Sequence, residues 1–302
     1  MRTKLILAAV ALAVVAGSFA AKGLLRRSDR AGEIDPAACR RIVSLSPSIT
    51  EILFALGLGD RVVGVTRFCR YPPEAQTRTF VGGYLDTNLE AIVALEPDLI
   101  ILRGEREESV APFTKLGLRT LAVRHDTVEG ILDSILAIGR SCGAEARAEQ
   151  LVSDLKAKME RLEQRTAGLP RVRVMLVADR TRGIGKIENV YVAGAGGFLD
   201  RMIQLAAGRN VCTATGFPVV SGEGILHMNP EVIVDLAFPD RPAGQSPETI
   251  VREWRQLAEV DAVRNGRVYV VEDDFALIPG PRFILLAEKF ARLFHPEKAS
   301  LR

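Results

Sequence analysis

The residues whose types could act on a ligand are Phe68, Tyr84, Arg103, Tyr191, Phe217, Asp273, Asp274 and Phe275, all on segments that connect predicted strands and helices. Their aromatic share stands well above the 6% of the whole chain. Aromatic faces offer broad apolar area with a directional quadrupole, and a few charges among them can fix the polar edge of a bound molecule. Such a set suits a large, flat, partly polar ligand better than a sugar or a bare ion.

Residues that could do covalent or acid–base work are scattered. Gly194-Ala-Gly-Gly197 sits near a strand–helix junction. It lacks the third glycine of a dinucleotide fingerprint and the acidic residue that should follow on the next strand. A phosphate-cradling Walker sequence and a Gly-x-Ser-x-Gly elbow are both missing from the sequence. His125, His227 and His295 are far apart, whereas a metal site needs several convergent N, O or S donors. His227 and His295 are expected at the surface, and His125, at a strand end, is the histidine that could face a cleft. No metal site and no catalytic residue is expected, and His125 with Asp126 is the single hint of an enzyme.

The elements that must position these residues follow from periodicity. Ala144 to Thr166 contains no Pro or Gly, and Leu151, Leu155, Met159 and Leu162 recur at the spacing of one helix face. A helix of that length spans roughly 35 Å, enough to join two bodies. Before it, short apolar runs at Arg41–Ser46, Arg61–Val65, Leu99–Leu102 and Arg119–Arg124 alternate with helical stretches. One of these helices is expected to open on Ser48-Ile-Thr-Glu51 as a capping box. Beyond it, strands from Val172 and from Arg267 alternate with helices near Gly196–Ala207, Ser246–Leu257 and Gly280–Phe294. Alternation of this kind predicts an α/β fold with parallel sheets, here two Rossmann-like lobes joined by one long backbone helix. The expected division is 40–142 for the first lobe, 143–168 for the connecting helix and 170–296 for the second lobe. In open parallel sheets ligands sit beyond the carboxyl ends of the strands, which is where the aromatic set falls.

The two halves also repeat each other. Asn88 to Ile101 and Ser221 to Val234 each place a Glu at one fixed distance before a Pro (Glu90 and Pro97, Glu223 and Pro230), then an acid, then a β-branched apolar run. We read this as duplication of one helix-then-strand unit.

Composition narrows the class. A net charge of +3 over 302 residues, without Lys/Arg runs beside aromatic clusters, gives no nucleic-acid footprint. Arg2 and Lys4 precede the apolar stretch Leu5 to Ala16, and Ser18-Phe-Ala20 offers small residues before Ala21. This predicts a signal peptide over 1–20 and export; the competing reading is an uncleaved membrane anchor of about 17 residues. Cys39, Cys69, Cys142 and Cys212 match no close-paired metal pattern, and three disulfide pairings remain open. Cys39 with Cys142 is preferred, because both would lie at the strand-start side of the first lobe.

Arg41-Ile-Val-Ser-Leu-Ser-Pro-Ser-Ile-Thr-Glu51, Tyr71-Pro-Pro-Glu74, Asn88-Leu-Glu-Ala-Ile-Val-Ala-Leu-Glu-Pro-Asp98 and Tyr191-Val-Ala-Gly194 together resemble the periplasmic substrate-binding proteins of ABC importers for vitamin B12, iron-siderophores and haem. The resemblance covers about residues 40 to 295. It implies a binding protein without catalysis or resident cofactor, which captures a large metal chelate and delivers it to a membrane permease dimer. A corrinoid such as cobalamin is the first expectation for that chelate. Haem or a ferric siderophore is the alternative, and a metal-chelate-processing enzyme on a similar scaffold is the rival class. Phe68 and Tyr84 match first-lobe aromatic positions of the B12-binding relatives, Tyr191 and Phe217 match second-lobe positions, and Asp273 with its neighbours matches a loop at the corrin edge. Leu102 stands where those relatives carry Trp. The resemblance further implies that Glu90 and Glu223, one per lobe, meet arginines of the permease. A monomer is expected.

Overall fold

In the computed structural model the described residues are 39–83, 86–104, 107–237 and 245–298. The predicted signal segment and Tyr84 lie outside them. The first sheet contains β1 (Ile42–Ser44), β2 (Val62–Val65), β3 (Thr79–Phe80), β4 (Leu99–Arg103) and β5 (Thr120–Val123), in the order β3-β2-β1-β4-β5. Every pairing is parallel. The near-continuous apolar run of β4 follows from burial of a parallel sheet on both faces. Helices α1 (Pro47–Ala55), α2 (Leu89–Ala94), α3 (Glu107–Lys115) and α4 (Val128–Cys142) connect these strands.

The long helix α5 runs Glu145–Thr166. Its Val152, Leu155 and Leu162 are buried, and Leu151 and Met159 pack at the margin of the same core. That core is continuous from Ile42 of the first sheet through α5 to Phe294 near the carboxyl end. The far end of α5 is pinned to the second lobe, where Thr166 Oγ1 donates to the Leu205 carbonyl at 3.0 Å.

After α5 come β6 (Val172–Thr181), β7 (Glu188–Val192), α6 (Phe198–Leu205), β8 (Gly208–Asn210), β9 (Val219–Val220), α7 (Gly222–Met228), β10 (Val232–Leu236), α8 (Pro247–Trp254), α9 (Asp261–Arg264), β11 (Val268–Val271) and α10 (Phe283–Phe294). The second sheet runs β11-β10-β6-β7-β9, with β8 also on β6. The two-lobed α/β plan stands, but this sheet is mixed: β7 is antiparallel to both β6 and β9. The extension of β6 and the whole hairpin carry polar residues, among them Arg180 and Arg182, which masked a strand in the sequence. Arg180 is nevertheless buried, paired with Asp235 at 2.7 Å and Glu253 at 2.7 Å. Arg182 bonds the other Asp235 oxygen at 2.6 Å, and Trp254 Nε1 donates to Asp235 at 2.9 Å.

The internal repeat is matched bond for bond. Asn88 caps α2 through the Ala91 amide at 2.9 Å, and Ser221 caps α7 through the Gly224 amide at 3.2 Å. Each helix is followed by a left-handed residue, Glu96 (φ 44) or Asn229 (φ 39), just before the Pro. Asp98 then accepts from the Arg41 amide at 3.0 Å, and Glu231 accepts from the Arg173 amide at 2.7 Å. In both lobes the acid after the Pro thus holds the start of the neighbouring central strand, and Arg41 and Arg173 return the tie to the helix-end carbonyls of Leu95 and Met228.

Two expectations are corrected here. Ser48 and Glu51 form no capping box: α1 begins at Pro47 after Ser46, and both side chains are drawn to distant partners, His125 and Arg282. His295 is buried rather than on the surface, because the end of α10 carries it against the backbone of Ala206 and Ala207. A disulfide joins Cys39 and Cys142 (Cα–Cα 5.1 Å), tying the start of the first sheet to the end of α4, and Cys69 and Cys212 are free and buried. Among the described residues no helix is long and apolar enough to cross a membrane.

Candidate functional site

The carboxyl ends of the first-lobe strands present Pro47, Phe68, Arg70, Tyr71, Arg103 and His125 to the second lobe. Two chambers open there, sharing Leu277 as a common wall. The first, about 490 Å³, lies between Arg103, His125 and Asp126 on one side and the Gly194–Gly197 turn with Phe217 on the other. The second, about 500 Å³, lies between Phe68 and Tyr71 on one side and Leu236, Ala237, Asp273 and Asp274 on the other. Both are predominantly apolar with a few polar groups, the usual character of a small-molecule site. A further groove of about 660 Å³, between α1, α5 and Arg282, is lined by charged residues, among them Glu51, Asp60, Arg78, Asp154 and Lys158, together with Phe54 and Tyr71.

Phe68 is half exposed in the second chamber and Phe217 is 55% exposed in the first. These are large apolar side chains left uncovered at facing walls. Arg103 lines the first chamber and reaches Asp126 at 3.5 Å. Asp273 and Asp274 line the second, Asp273 paired with Lys289 and Asp274 held by Arg282 at 2.8 Å. Phe275 stands behind them, against Arg282 and the core. Tyr191 is exposed on β7 and borders neither chamber. Leu102 is buried in the first-lobe core rather than in the cleft.

Two contacts close the lobes at the cleft. On one side the Phe198 amide, at the start of α6, donates to the Asp126 carbonyl at 2.8 Å. On the other, Arg282 of the second lobe binds Glu51 of α1 through two nitrogens, at 2.6 and 3.1 Å. Its guanidinium also lies over the Tyr71 ring at 3.7 Å and near the Phe275 ring at 5.6 Å, both within cation–π reach. Burial pushes the Glu51 carboxyl above its usual range, and the Arg282 hydrogen bond and charge only partly oppose this. Sequence reasoning named neither Arg282 nor Tyr71 as a functional contact.

The glycine turn has a packing role. A Cβ on Gly194 would meet the Ala214 carbonyl oxygen at 2.1 Å, and the backbone there is tied by Gly194 N to Gly216 O at 2.8 Å and Ala195 N to Ala214 O at 2.7 Å. These glycines let the 214–217 segment fold flat and carry Phe217 to the chamber. His125 is buried in the wall of the same chamber. Its Nδ1 lies 2.7 Å from Ser48 Oγ, and burial, then the Arg103 charge, hold its pKa down at about 3. Among the described residues no group of three or more His, Cys, Asp and Glu is arranged to hold a metal.

Comparison with known proteins places this architecture. A profile described as periplasmic binding protein matches residues 42–275. The chain belongs to the periplasmic binding protein family. An uncharacterized ABC transporter substrate-binding lipoprotein, YvrC, of Bacillus subtilis is 30% identical over 264 residues, 85% of this chain and 81% of the relative. A cobalamin-binding protein of Halobacterium salinarum is 29% identical over 268 residues, 84% of this chain and 69% of the relative. Among solved structures, the periplasmic heme-binding protein RhuT from Roseiflexus sp. RS-1 superposes with a TM-score of 0.72 at 25% identity, covering 87% of this chain and 99% of that one. This binding protein is therefore a substrate-binding component of the ABC-transporter type, and the family consists of such components, which work with membrane permeases.

Proposed function

We propose that this binding protein is exported, captures a corrinoid such as cobalamin between its lobes and hands it to an ABC importer without altering it. The observation that carries the reading is the pair of apolar chambers meeting at Leu277, with Phe68 exposed in one and Phe217 in the other. A flat macrocycle is a ligand that can use both at once, each aromatic contact contributing on the order of 1 kcal/mol. The named specificity of the Halobacterium salinarum relative supports a corrinoid. On this reading 40–142 and 170–296 are the two lobes, and Arg103, Asp273, Asp274 and Phe275 complete the site around the ring edge. Tyr84 and Tyr191 are further proposed ligand contacts. Haem, the ligand named for RhuT, is the competing chelate.

Glu90 and Glu223 are the proposed docking points for the permease. Both are exposed, and each is the second residue of its helix, α2 or α7. A carboxylate in a first helical turn is favoured by roughly 0.3–1 kcal/mol, which accounts for either alone. Matched exposed acids on the two repeats suit a two-fold partner bearing cations, and such charges chiefly set orientation and association rate.

Calorimetric titration of the mature chain with cyanocobalamin, haemin and a ferric siderophore tests the reading. Saturable binding of cyanocobalamin, tighter than that of the other two, is expected. Binding of none at high micromolar concentration, or release of a chemically changed chelate, overturns it.

A further inference from the structure

The His125 ring is 1% exposed, yet only one of its nitrogens is used. Nδ1 meets Ser48 Oγ at 2.7 Å, and Ser48 Oγ meets Ser46 Oγ at 2.9 Å, so the ring is fixed from the α1 side. Nε2, on the opposite edge, is buried and has no hydrogen-bond partner. A buried polar atom left unmet is costly, and here it belongs to a residue lining the first chamber.

We propose that His125 Nε2 is the hydrogen-bond anchor for a carboxamide on the edge of the bound chelate, and that it makes the first chamber select amide-edged over carboxylate-edged ligands. The inference rests on the corrinoid reading above and adds a specificity residue to it. A ring set in the chamber wall suits a substituent that enters the chamber better than the metal at the centre of a flat macrocycle. The imidazole is neutral throughout the physiological range, since burial and Arg103 hold it far below its usual value. Depending on which way the Ser48 hydroxyl points, Nε2 either donates or accepts. A carboxamide carries both functions and answers either state. A carboxylate can only accept, and would be desolvated beside a neutral ring. Arg103 and Asp126 are the oppositely charged pair among the described lining residues, which leaves no net positive charge to compensate a carboxylate.

The probes are cyanocobalamin, whose corrin rim carries carboxamides, and its monocarboxylates, in each of which one carboxamide is replaced. Affinities are measured calorimetrically for wild type, His125→Leu and His125→Gln, with melting temperatures alongside. In wild type, at least one monocarboxylate isomer should bind about ten-fold more weakly than cyanocobalamin. His125→Leu should weaken cyanocobalamin by about ten-fold and narrow that isomer's deficit, because the amide loses its hydrogen bond while the desolvation of the carboxylate remains. His125→Gln, which keeps a donor and an acceptor, should retain most of the discrimination. If every isomer binds wild type as well as cyanocobalamin does, the anchor is refuted whatever the fate of the variants. A well-folded His125→Leu with wild-type affinity and discrimination refutes it too. In both cases the corrinoid reading survives, whereas failure of wild type to bind any corrinoid refutes both.

Discussion

Removing Arg282 should destabilise the protein in a way that depends on pH and on Glu51. The Glu51 side chain is 2% exposed and that of Arg282 15%, so the pair is close to fully desolvated. Taking away one partner of a buried pair typically costs about 3–5 kcal/mol, because the other charge is left uncompensated. The stacking of Arg282 on Tyr71 adds about 0.5–2 kcal/mol, while residual exposure of the guanidinium argues for the lower part of these ranges. We expect Arg282→Met to lose about 3 kcal/mol at neutral pH, a fall in melting temperature of roughly 6–12 °C. The pH dependence has a defined sign. Burial raises the folded-state pKa of Glu51 above its ordinary 4.5, and loss of Arg282 raises it further. An acid with a raised folded pKa binds more protons folded than unfolded, so its penalty is present above the folded pKa and disappears as pH falls toward 4.5. Acidification from neutral pH should therefore restore part of the variant's lost stability relative to wild type. Glu51→Gln combined with Arg282→Met should be more stable than Arg282→Met alone. Urea denaturation at several pH values measures each quantity. A loss below 1 kcal/mol, a loss independent of pH, or no rescue by Glu51→Gln would refute the argument.

Asp235 is fully buried between Arg180 and Arg182, so Asp235→Ala should cost about 3–5 kcal/mol in chemical denaturation; a cost under 1 kcal/mol would mean that the arginines find other partners. Glu90→Lys with Glu223→Lys should abolish association with the permease while leaving corrinoid affinity and melting temperature near wild type, and unimpaired uptake would reduce both residues to helix-terminal acids. α5 has no Gly or Pro at which to kink, and the core runs through it unbroken. Solution scattering should therefore show only a small change on adding ligand, and a wide-angle closure would count against a rigid backbone.

What could be read from the sequence was local or periodic. α5 was legible because an uninterrupted helix prints its buried face at fixed spacing: the observed Glu145–Thr166 begins one residue after the expected Ala144 and lies two residues inside each end of the expected 143–168 segment. The repeat was legible because Glu90-to-Pro97 and Glu223-to-Pro230 share a spacing, although the matching backbone bonds of Asp98 and Glu231 needed coordinates. Contacts between distant residues left no such print. Glu51 and Arg282 are 231 positions apart, and a Ser-x-x-Glu pattern offered a cheaper local explanation that turned out to be false. The β6–β7 hairpin was hidden because Arg180 and Arg182 read as solvent-facing until their carboxylate partners from β10 and α8 are seen beside them. Of the residues proposed for the site from loop position, Phe68, Phe217, Arg103, Asp273 and Asp274 line the two chambers. Tyr191 borders neither chamber, and the contact of His125 with the distant Ser48 left no print in the sequence.

The central claim is that one flat ligand bridges both chambers, and a mutant cycle on Phe68 and Phe217 tests it most directly. Cyanocobalamin affinity and stoichiometry would be measured by calorimetry for wild type, Phe68→Ala, Phe217→Ala and the double variant. The account predicts one ligand per chain, with each single substitution weakening binding by about 1 kcal/mol or roughly five-fold and the double variant losing at least as much as either. Two ligands per chain, or a loss confined to one of the two phenylalanines, would contradict it.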